Sequence, residues 1–337
     1  MSIKFLCIGD PHFQDSNIKD VEVLIEKLID QTKKRAPNFV VIMGDILHSN
    51  EKISLAPFKK ATYLIDRLSE YTNVYLLIGN HDYMNASQFL TDNHAFNSLK
   101  KWKNVFIIDE ITVHEYSGLK FCFAPYVPTG RFLEALNGSG ECWDLCDCIF
   151  AHQEFKGCKM GAKISDTGDV WEEDYPLVIS GHIHLHQVLN NVFYTGSIMQ
   201  HGYADEDDKY LWEFNFEIND EETNYTHNSI DLGLKKKKLV NIDYDDFKNF
   251  DATKHKNVNL HLNIKGMNEQ FKTCRNSKLY KKLVSEGVRI TFTSIQSDVP
   301  MLKKGISCKN KGYLEIFREL CKDELGEMCE QVISEVE

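Results

Sequence analysis

Residues Val40–His48 read VVIMGDILH, and the fold turns on how that stretch is taken. Apolar residues run without a break into Gly44 and Asp45. A short apolar run closed by glycine fits a strand covered on both faces. The Asp45 carboxylate then stands at the strand's C-terminal mouth, where open α/β sheets place their sites. Burying it alone is costly, so it needs a cation or a partner. Asp45 is read as the bridge between two metal ions.

The neighbouring stretches repeat the arrangement. Ile3–Ile8 is apolar and ends in Gly9-Asp10-Pro11-His12; Val74–Ile78 ends in Gly79-Asn80-His81-Asp82. Between them, Val21–Gln31 and Ser54–Tyr71 carry apolar residues at helical spacing, and a third helix is expected over Ala86–Lys101. The order is β-α-β-α-β-α with polar residues at each strand's C-terminal end. Val105–Tyr116 and Leu119–Val127 then flank Ser117-Gly118 as a β-hairpin. Cys148–Ala151, Leu177–Ile179, Val192–Tyr194 and Tyr210–Phe216 add strands. The expected fold class is α/β: two packed mixed β-sheets flanked by helices over residues 1–217, with a small α+β C-terminal cap. Residues 218–240, acidic, then Asn-rich, then four lysines, read as a linker. Residues 241–300 read as the cap. Residues 301–337 read as a helical segment with an apolar stripe, for capping or for docking a partner.

A length of 337 residues accommodates one large catalytic domain and a small second one. No apolar run approaches the roughly 20 residues of a spanning helix. The opening MSIKFLCIGDPH passes at once from strand to polar turn, unlike a leader peptide. The expectation is an intracellular protein with no membrane association, placed in the cytoplasm, the nucleus or the replication compartment of a virus-infected cell. Ten cysteines at irregular spacing read as reduced thiols. Cys142, Cys146, Cys148 and Cys158 lack the paired spacing of structural zinc and read as core residues. The net charge of −11 argues against a broad nucleic-acid surface, although two divalent cations offset part of it locally. The basic runs Lys33–Arg35, Lys100–Lys103 and Lys235–Lys238 read as solvated faces or linker.

Five motifs occur in order: Asp10-Pro11-His12, Gly44-Asp45, Gly79-Asn80-His81-Asp82, His152, and Gly181-His182-Ile183-His184. Imidazole, carboxylate and an amide oxygen together suit Mn, Zn or Fe rather than an all-oxygen ion. Alternation along a strand end turns the first and third residues of Asp-x-His and His-x-His the same way. One carboxylate can span two metals about 3.5–4 Å apart, the separation used for in-line attack at phosphorus. Each motif alone is commonplace; the ordered set at strand ends is not.

These motifs resemble those of the calcineurin-like metallophosphoesterase superfamily over residues 10 to about 197. The resemblance implies that Asp10, His12, Asp45 and His184 hold one divalent metal, and Asp45, Asn80, His152 and His182 the other. Manganese is the first expectation, with zinc, iron or magnesium as alternatives. It also implies that His81 stands outside the ligands as proton donor or phosphate contact. His48 is expected to orient the phosphate or the scissile nucleotide, Asp82 to orient the site, and His186 and His201 to support it or lie at the surface. Protein Ser/Thr phosphatases differ, since Ile46-Leu47-His48 and Asp82 stand here where they carry Arg-Gly and Glu. The run GDILHSNEK, the pair His152-Gln153 and Tyr194-Thr195-Gly196-Ser197 resemble the meiotic-recombination-eleven and SbcD DNA-repair nucleases. The C-terminal layout is similar to the recombination endonuclease subunit of T-even phages. The implied function is a DNA exonuclease and endonuclease of double-strand-break repair or recombination, working with an SMC-like coiled-coil ATPase of the SbcC class. A homodimer through the helices at 54–71 and 86–101 is implied too. In the implied mechanism a hydroxide bridging the metals attacks in line while His81 protonates the leaving 3′ oxygen. Two other classes stay open: a phosphoesterase of small phosphodiesters or nucleotides, and a non-catalytic scaffold of the same fold.

Overall fold

The computed structural model describes residues 2–50, 52–219, 222–255 and 258–295. The expected segment 301–337 lies outside them. The strands of the first half are β1 (Ser2–Ile8), β2 (Phe39–Ile42), β3 (Asn73–Leu77), β4 (Val105–Ile108), β5 (Thr112–Tyr116), β6 (Leu119–Phe123) and β7 (Cys148–Ala151). A two-strand ribbon, β8 (Lys159–Met160) and β9 (Lys163–Ile164), precedes β10 (Leu177–Ser180), β11 (Gln187–Leu189), β12 (Val192–Tyr194), β13 (Leu211–Asn219) and β14 (Glu222–Ile230). The helices are α1 (Ile18–Arg35), α2 (Leu55–Ser69) and α3 (Phe132–Gly138).

One sheet has the order β14-β13-β1-β2-β3-β4 and the other β11-β12-β10-β7-β6-β5. β1 to β4 run parallel, as do β6, β7, β10 and β12. This is the expected architecture of two mixed sheets flanked by helices. Aromatic side chains fill the space between them: Phe5 stacks on Phe39 at 4.8 Å and meets Phe121 and Phe150 edge-on. Outside the first sheet, α1 and α2 bury Val21, Leu24, Leu28, Ala61, Leu64 and Leu68. Outside the second lie Phe132, Trp143, Phe155 and Trp171. α1 ends where Ala36 turns left-handed at φ 46° and returns its N–H to the Thr32 carbonyl, with Pro37 next to forbid continuation. The run Lys33–Arg35 is therefore the last turn of that helix, where cations complement the dipole.

Three expectations are corrected. Ala86–Lys101 is not a helix; only Asn97–Lys101 forms a 3-10 turn. Asn85 Oδ1 accepts the Ser87 N–H, Thr91 Oγ1 accepts the Asn93 N–H, and Leu90 is left-handed at φ 43°. Such local side-chain bonds compete with a helix. Val105–Tyr116 is not one strand but two, in different sheets, divided at Asp109, whose carboxylate holds His94 Nε2 at 3.0 Å and Lys100 Nζ at 2.6 Å. Its second half does form the expected hairpin, with both Ser117 and Gly118 at positive φ. Residues 218–240 are not a linker. β14 pairs with β13 along its whole length, and Tyr225 stacks on Phe216 at 5.3 Å. β15 (Lys236–Asp243) then opens the small unit, so only residues 231–235 connect the two.

That unit is a parallel sheet of β15, β16 (Val258–Gly266) and β17 (Arg289–Ser294), with β16 central. Helices α4 (Tyr244–Phe247), α5 (Asn268–Asn276) and α6 (Lys278–Ser285) accompany it. Its core is Phe247, Leu262, Ile264, Cys274 and Leu283. Among the described residues no helix is long and apolar enough to cross a membrane. The seven described cysteines are free thiols, and all but Cys142 are buried.

Candidate metal centre

Parallel strands present their C-terminal ends on one side, and both sheets aim that side at one cleft. β1 delivers Asp10 and His12, β2 delivers Asp45, and β3 delivers Asn80 and His81. From the other sheet, β7 delivers His152 and β10 delivers His182 and His184. Four of these residues turn left-handed directly after their strands: Asp10 (φ 36°), His12 (46°), Asp45 (49°) and His182 (73°). Non-glycine residues hold such conformations at a cost on the order of 1 kcal/mol or more each, and only where their surroundings enforce it. Here tight packing enforces it. A methyl group on Gly79 would sit 2.2 Å from Asp45 Oδ1, and one on Gly44 would sit 2.4 Å from His152 Nδ1. The glycines of the motifs are there for close approach.

The donor atoms fall into two sets. In one, His12 Nε2 lies 3.0 Å from His184 Nε2. In the other, Asn80 Oδ1 lies 2.9 Å from His182 Nδ1 and 3.1 Å from His152 Nε2. Asp45 Oδ2 stands between the sets, 3.5 Å from His12 Nε2 and 3.3 Å from His152 Nε2. Asp10 is fully buried; its Oδ1 accepts the His182 N–H at 2.8 Å, while its Oδ2 has no hydrogen-bond partner. A buried carboxylate oxygen without a partner is an unusual expense. His152 Nδ1–H donates to the Met43 carbonyl at 2.6 Å, so the other ring nitrogen is the one that faces Asp45 and Asn80. These donors fit divalent cations: lone pairs converge from two directions on one carboxylate, and few N–H groups are present to satisfy them.

Charge tells the same story. Burial pushes Asp10 up to about 7. For Asp45 burial acts against the charge, but His152 and His12 outweigh it and hold the group well below the usual carboxylate range. His152 is the counterpart: burial works against its charge, Asp45 and Asp10 overcome it, and its pKa rises to about 9. Burial also drives His182 and His201 down to about 3 and His184 to about 4. Burial thus favours the neutral form of most of these imidazoles, the form that offers a lone pair to a cation, while the pairing of His152 with Asp45 favours a proton held between them.

His81 and His48 lie beside the two sets. The His81 N–H donates to Asp45 Oδ1 at 2.8 Å, and its Nδ1–H donates to the His48 carbonyl at 2.8 Å. His48 Nδ1 is 3.3 Å from His12 Nδ1. Asp82 accepts the N–H groups of Gly79, Leu47 and Ile46 at 3.0, 3.1 and 3.4 Å, tying the second motif loop to the third. Of the two expected positions for His201, support or surface, the ring packs against the first donor set and not at the surface. Its Nε2–H donates to the Asp10 carbonyl, its ring lies 4.8 Å from that of His12, and it forms a metal-capable trio with His12 and His184. No strand end precedes it in the sequence, so nothing but proximity to the last motif pointed to it. His186 turns away, its Nδ1 bonded to the Tyr194 carbonyl and its ring on Trp212. Cysteine enters none of the metal-capable groups among the described residues. The cleft above the centre has a volume of about 410 Å³, and the β8–β9 ribbon walls one side with Lys159, Met160 and Gly161.

The sequence profile of the calcineurin-like phosphoesterases matches residues 3–218. The protein named "Putative phosphoesterase 244L" of Invertebrate iridescent virus 6 is 40% identical over 280 residues, covering 82% of this chain and 98% of its own. "Putative phosphoesterase 078R" of Invertebrate iridescent virus 3 is 36% identical over 300 residues, covering 86% and 84%. Among solved structures, a dimetal phosphatase from Danio rerio overlaps 64% of this chain and 94% of its own at 12% identity, with a TM-score of 0.42.

Proposed function

The chain belongs to the calcineurin-like phosphoesterase family, and from that premise we propose that it is a two-metal phosphodiesterase that cuts DNA. One observation carries the catalytic half of this reading: a single oxygen, Asp45 Oδ2, stands between His12 Nε2 at 3.5 Å and His152 Nε2 at 3.3 Å. Asp10, His12, Asp45 and His184 hold one cation in this reading, and Asp45, Asn80, His152 and His182 the other, with manganese as the first choice. Two divalent cations held there supply Lewis acidity and make a water deprotonable near neutral pH. Asp82 keeps two of the ligand-bearing loops in register through three backbone N–H groups. His81 is fixed by its Nδ1–H bond to the His48 carbonyl, so that the ring in its imidazolium form would give its Nε2 proton to the leaving 3′ oxygen and be left neutral. His48 backs His12 and orients the phosphate.

DNA is favoured over a small ester by the second loop, GDILHSNEK, with its additional histidine. The exposed Lys156, Lys159 and Lys163 on and beside the cleft-side ribbon favour it too, since phosphates want cations. We place the activity in double-strand-break repair or recombination inside the cell, beside an SMC-like coiled-coil ATPase. We also propose a two-fold dimer, for which the start of α2 offers Ile53, Leu55 and Tyr63 to solvent, Leu55 at 81% exposure. The acidic net charge of −11 favours the second reading, a hydrolase of small phosphodiesters. Turnover of linear duplex DNA, hairpin DNA and bis-p-nitrophenyl phosphate by the manganese-loaded protein, with and without a co-expressed ATPase, separates them. Cleavage of both DNA substrates is expected; hydrolysis of the small ester alone would sink the DNA reading. A protein that takes up no metal in excess manganese would be a scaffold.

A further inference from the structure

A second cavity, of about 450 Å³, opens where the small unit meets the large one, between α1, the segment after the last histidine motif, and the 231–235 connection. Its size falls within the range of about 300–1,000 Å³ typical of small-molecule sites, which favour domain boundaries. In a chain of net charge −11, its lining carries five lysines (19, 209, 235, 236 and 237) against three aspartates (20, 207 and 231). The aspartates are already engaged. Asp207 faces Lys236 at 3.9 Å, Asp20 receives the Asn259 amide at 3.4 Å, and Asp231 caps the Gly233 N–H at 2.7 Å. Two of the lysines are half-buried and have no carboxylate in contact, although Asp205 acts on both from farther off, with Asp10 on Lys209 and Asp20 on Lys237. Lys209 Nζ donates to the His184 carbonyl at 2.7 Å and Lys237 Nζ to the His201 carbonyl at 3.0 Å, and neither forms an ion pair among the described residues. A sheltered ammonium whose nearest carboxylates stand off at a distance gains from an anion in direct contact. The lining also has an aliphatic part: Val23, 46% exposed, and Leu234, half-buried, over the core residues Met199 and Leu232.

We propose that this cavity binds a nucleoside phosphate, with the phosphate on Lys209 and Lys237 and the base against Val23, Met199, Leu232 and Leu234. A bare anion leaves Val23 and Leu234 wet, and an uncharged ring leaves the two ammoniums without a close anion; a nucleotide satisfies both. The source is either a free nucleotide or the end of a nucleic-acid strand. None of the proposed metal-holding residues lines this cavity, although Lys209 and Lys237 brace the His184 and His201 carbonyls from its side, so it stands whether or not the enzyme's substrate is DNA.

Isothermal titration calorimetry of the full chain with dAMP tests it. Saturable binding is expected with a Kd below about 1 mM, weakened about tenfold by Lys237→Gln and at least as much by Val23→Trp, which fills the apolar half. Val23→Trp should leave bis-p-nitrophenyl phosphate turnover within about twofold, showing an intact fold and metal centre. A short oligo-dA that displaces dAMP from the wild type but not from Val23→Trp identifies a strand end as the source. Failure to displace it identifies the free nucleotide. Absence of dAMP binding up to about 10 mM, or an affinity unchanged in both variants, overturns the proposal, the latter by placing the nucleotide at the metals.

Discussion

The loops around the metal centre and the small C-terminal unit obey local preference to opposite degrees. In the first, four non-glycine residues sit at positive φ, three carboxylates (Asp10, Asp45 and Asp82) are buried, and glycines stand where no methyl group fits. In the second, the strands and helices hold ordinary conformations, Gly287 is the one described residue at positive φ, and Ser277 Oγ caps α6 by accepting the Tyr280 N–H at 3.1 Å. Nothing in that unit resists its own sequence. Local rules are broken where side chains must converge at a price in stability, and kept where only a core must form.

The greatest effect should follow from removing the atom on which the strained region converges. Asp45→Ala is expected to lower metal-dependent turnover of bis-p-nitrophenyl phosphate by at least about three orders of magnitude, with loss of bound metal by elemental analysis. Residual activity within a factor of about ten would show that the two donor sets work without a bridge. His81→Ala comes next: retained metal, with turnover down about a hundredfold or more, as for a proton-transfer group. Metal loss in that variant would instead make His81 a ligand, which the trio it forms with His12 and His48 allows geometrically.

The strained region is also the part most readily read from the sequence. Each proposed ligand follows an apolar strand, and the ordered set of Asp, His and Asn at successive strand mouths is what made it legible. Val40–Asp45 alone predicts a buried strand with a carboxylate at its end, and β2 is buried throughout. What escaped reading is governed by contacts far apart in sequence or by competing local bonds. The stretch Glu222–Ile230 is almost wholly exposed, so its polar composition hid a strand supported by Tyr225 on Phe216, His227 on Phe214 and Phe193, and Ile230 in the core. Ala86–Lys101 has helical spacing, but Asn85 and Thr91 bond their own backbone first. His201 and Lys209 reach the centre from a turn that carries no strand signal.

A pH series on the chelated protein sharpens the contrast, because the titrating groups crowd the strained region. His12, His48, His182, His184 and His201 are all held below the ordinary histidine value, chiefly by burial. Below about pH 6.5 the unfolded chain takes up protons that the folded one refuses, so stability falls with falling pH. Asp10 and Asp82, raised to about 7 by burial, oppose this by protonating earlier in the folded state, but they are two against five. On the alkaline side, the folded state keeps the His152 proton up to about 9 while the unfolded chain gives it up near the ordinary histidine value, so its stabilising contribution is lost as pH rises between the two. The thermal midpoint should therefore peak near neutrality. Excess manganese should remove the alkaline limb, since a cation replaces the proton between His152 and Asp45. A midpoint that climbs steadily to pH 9 without metal would contradict the proposed proton placement.

The smallest effect on turnover should come from damaging the unstrained unit. Leu262 is fully buried at the centre of its core, and Leu262→Ala should cost about 2–5 kcal/mol there. Only five irregular residues join β14 to β15, so calorimetry should show this unit melting ahead of the rest. Turnover of bis-p-nitrophenyl phosphate should stay within about twofold, because every proposed ligand lies outside the unit. A larger fall would have a specific route. The β15 residue Lys237 bonds the His201 carbonyl, and His201 in turn bonds Asp10. In that case the well-behaved unit would be one of the supports that keep the strained loops in place, and the two regions would be one mechanical system.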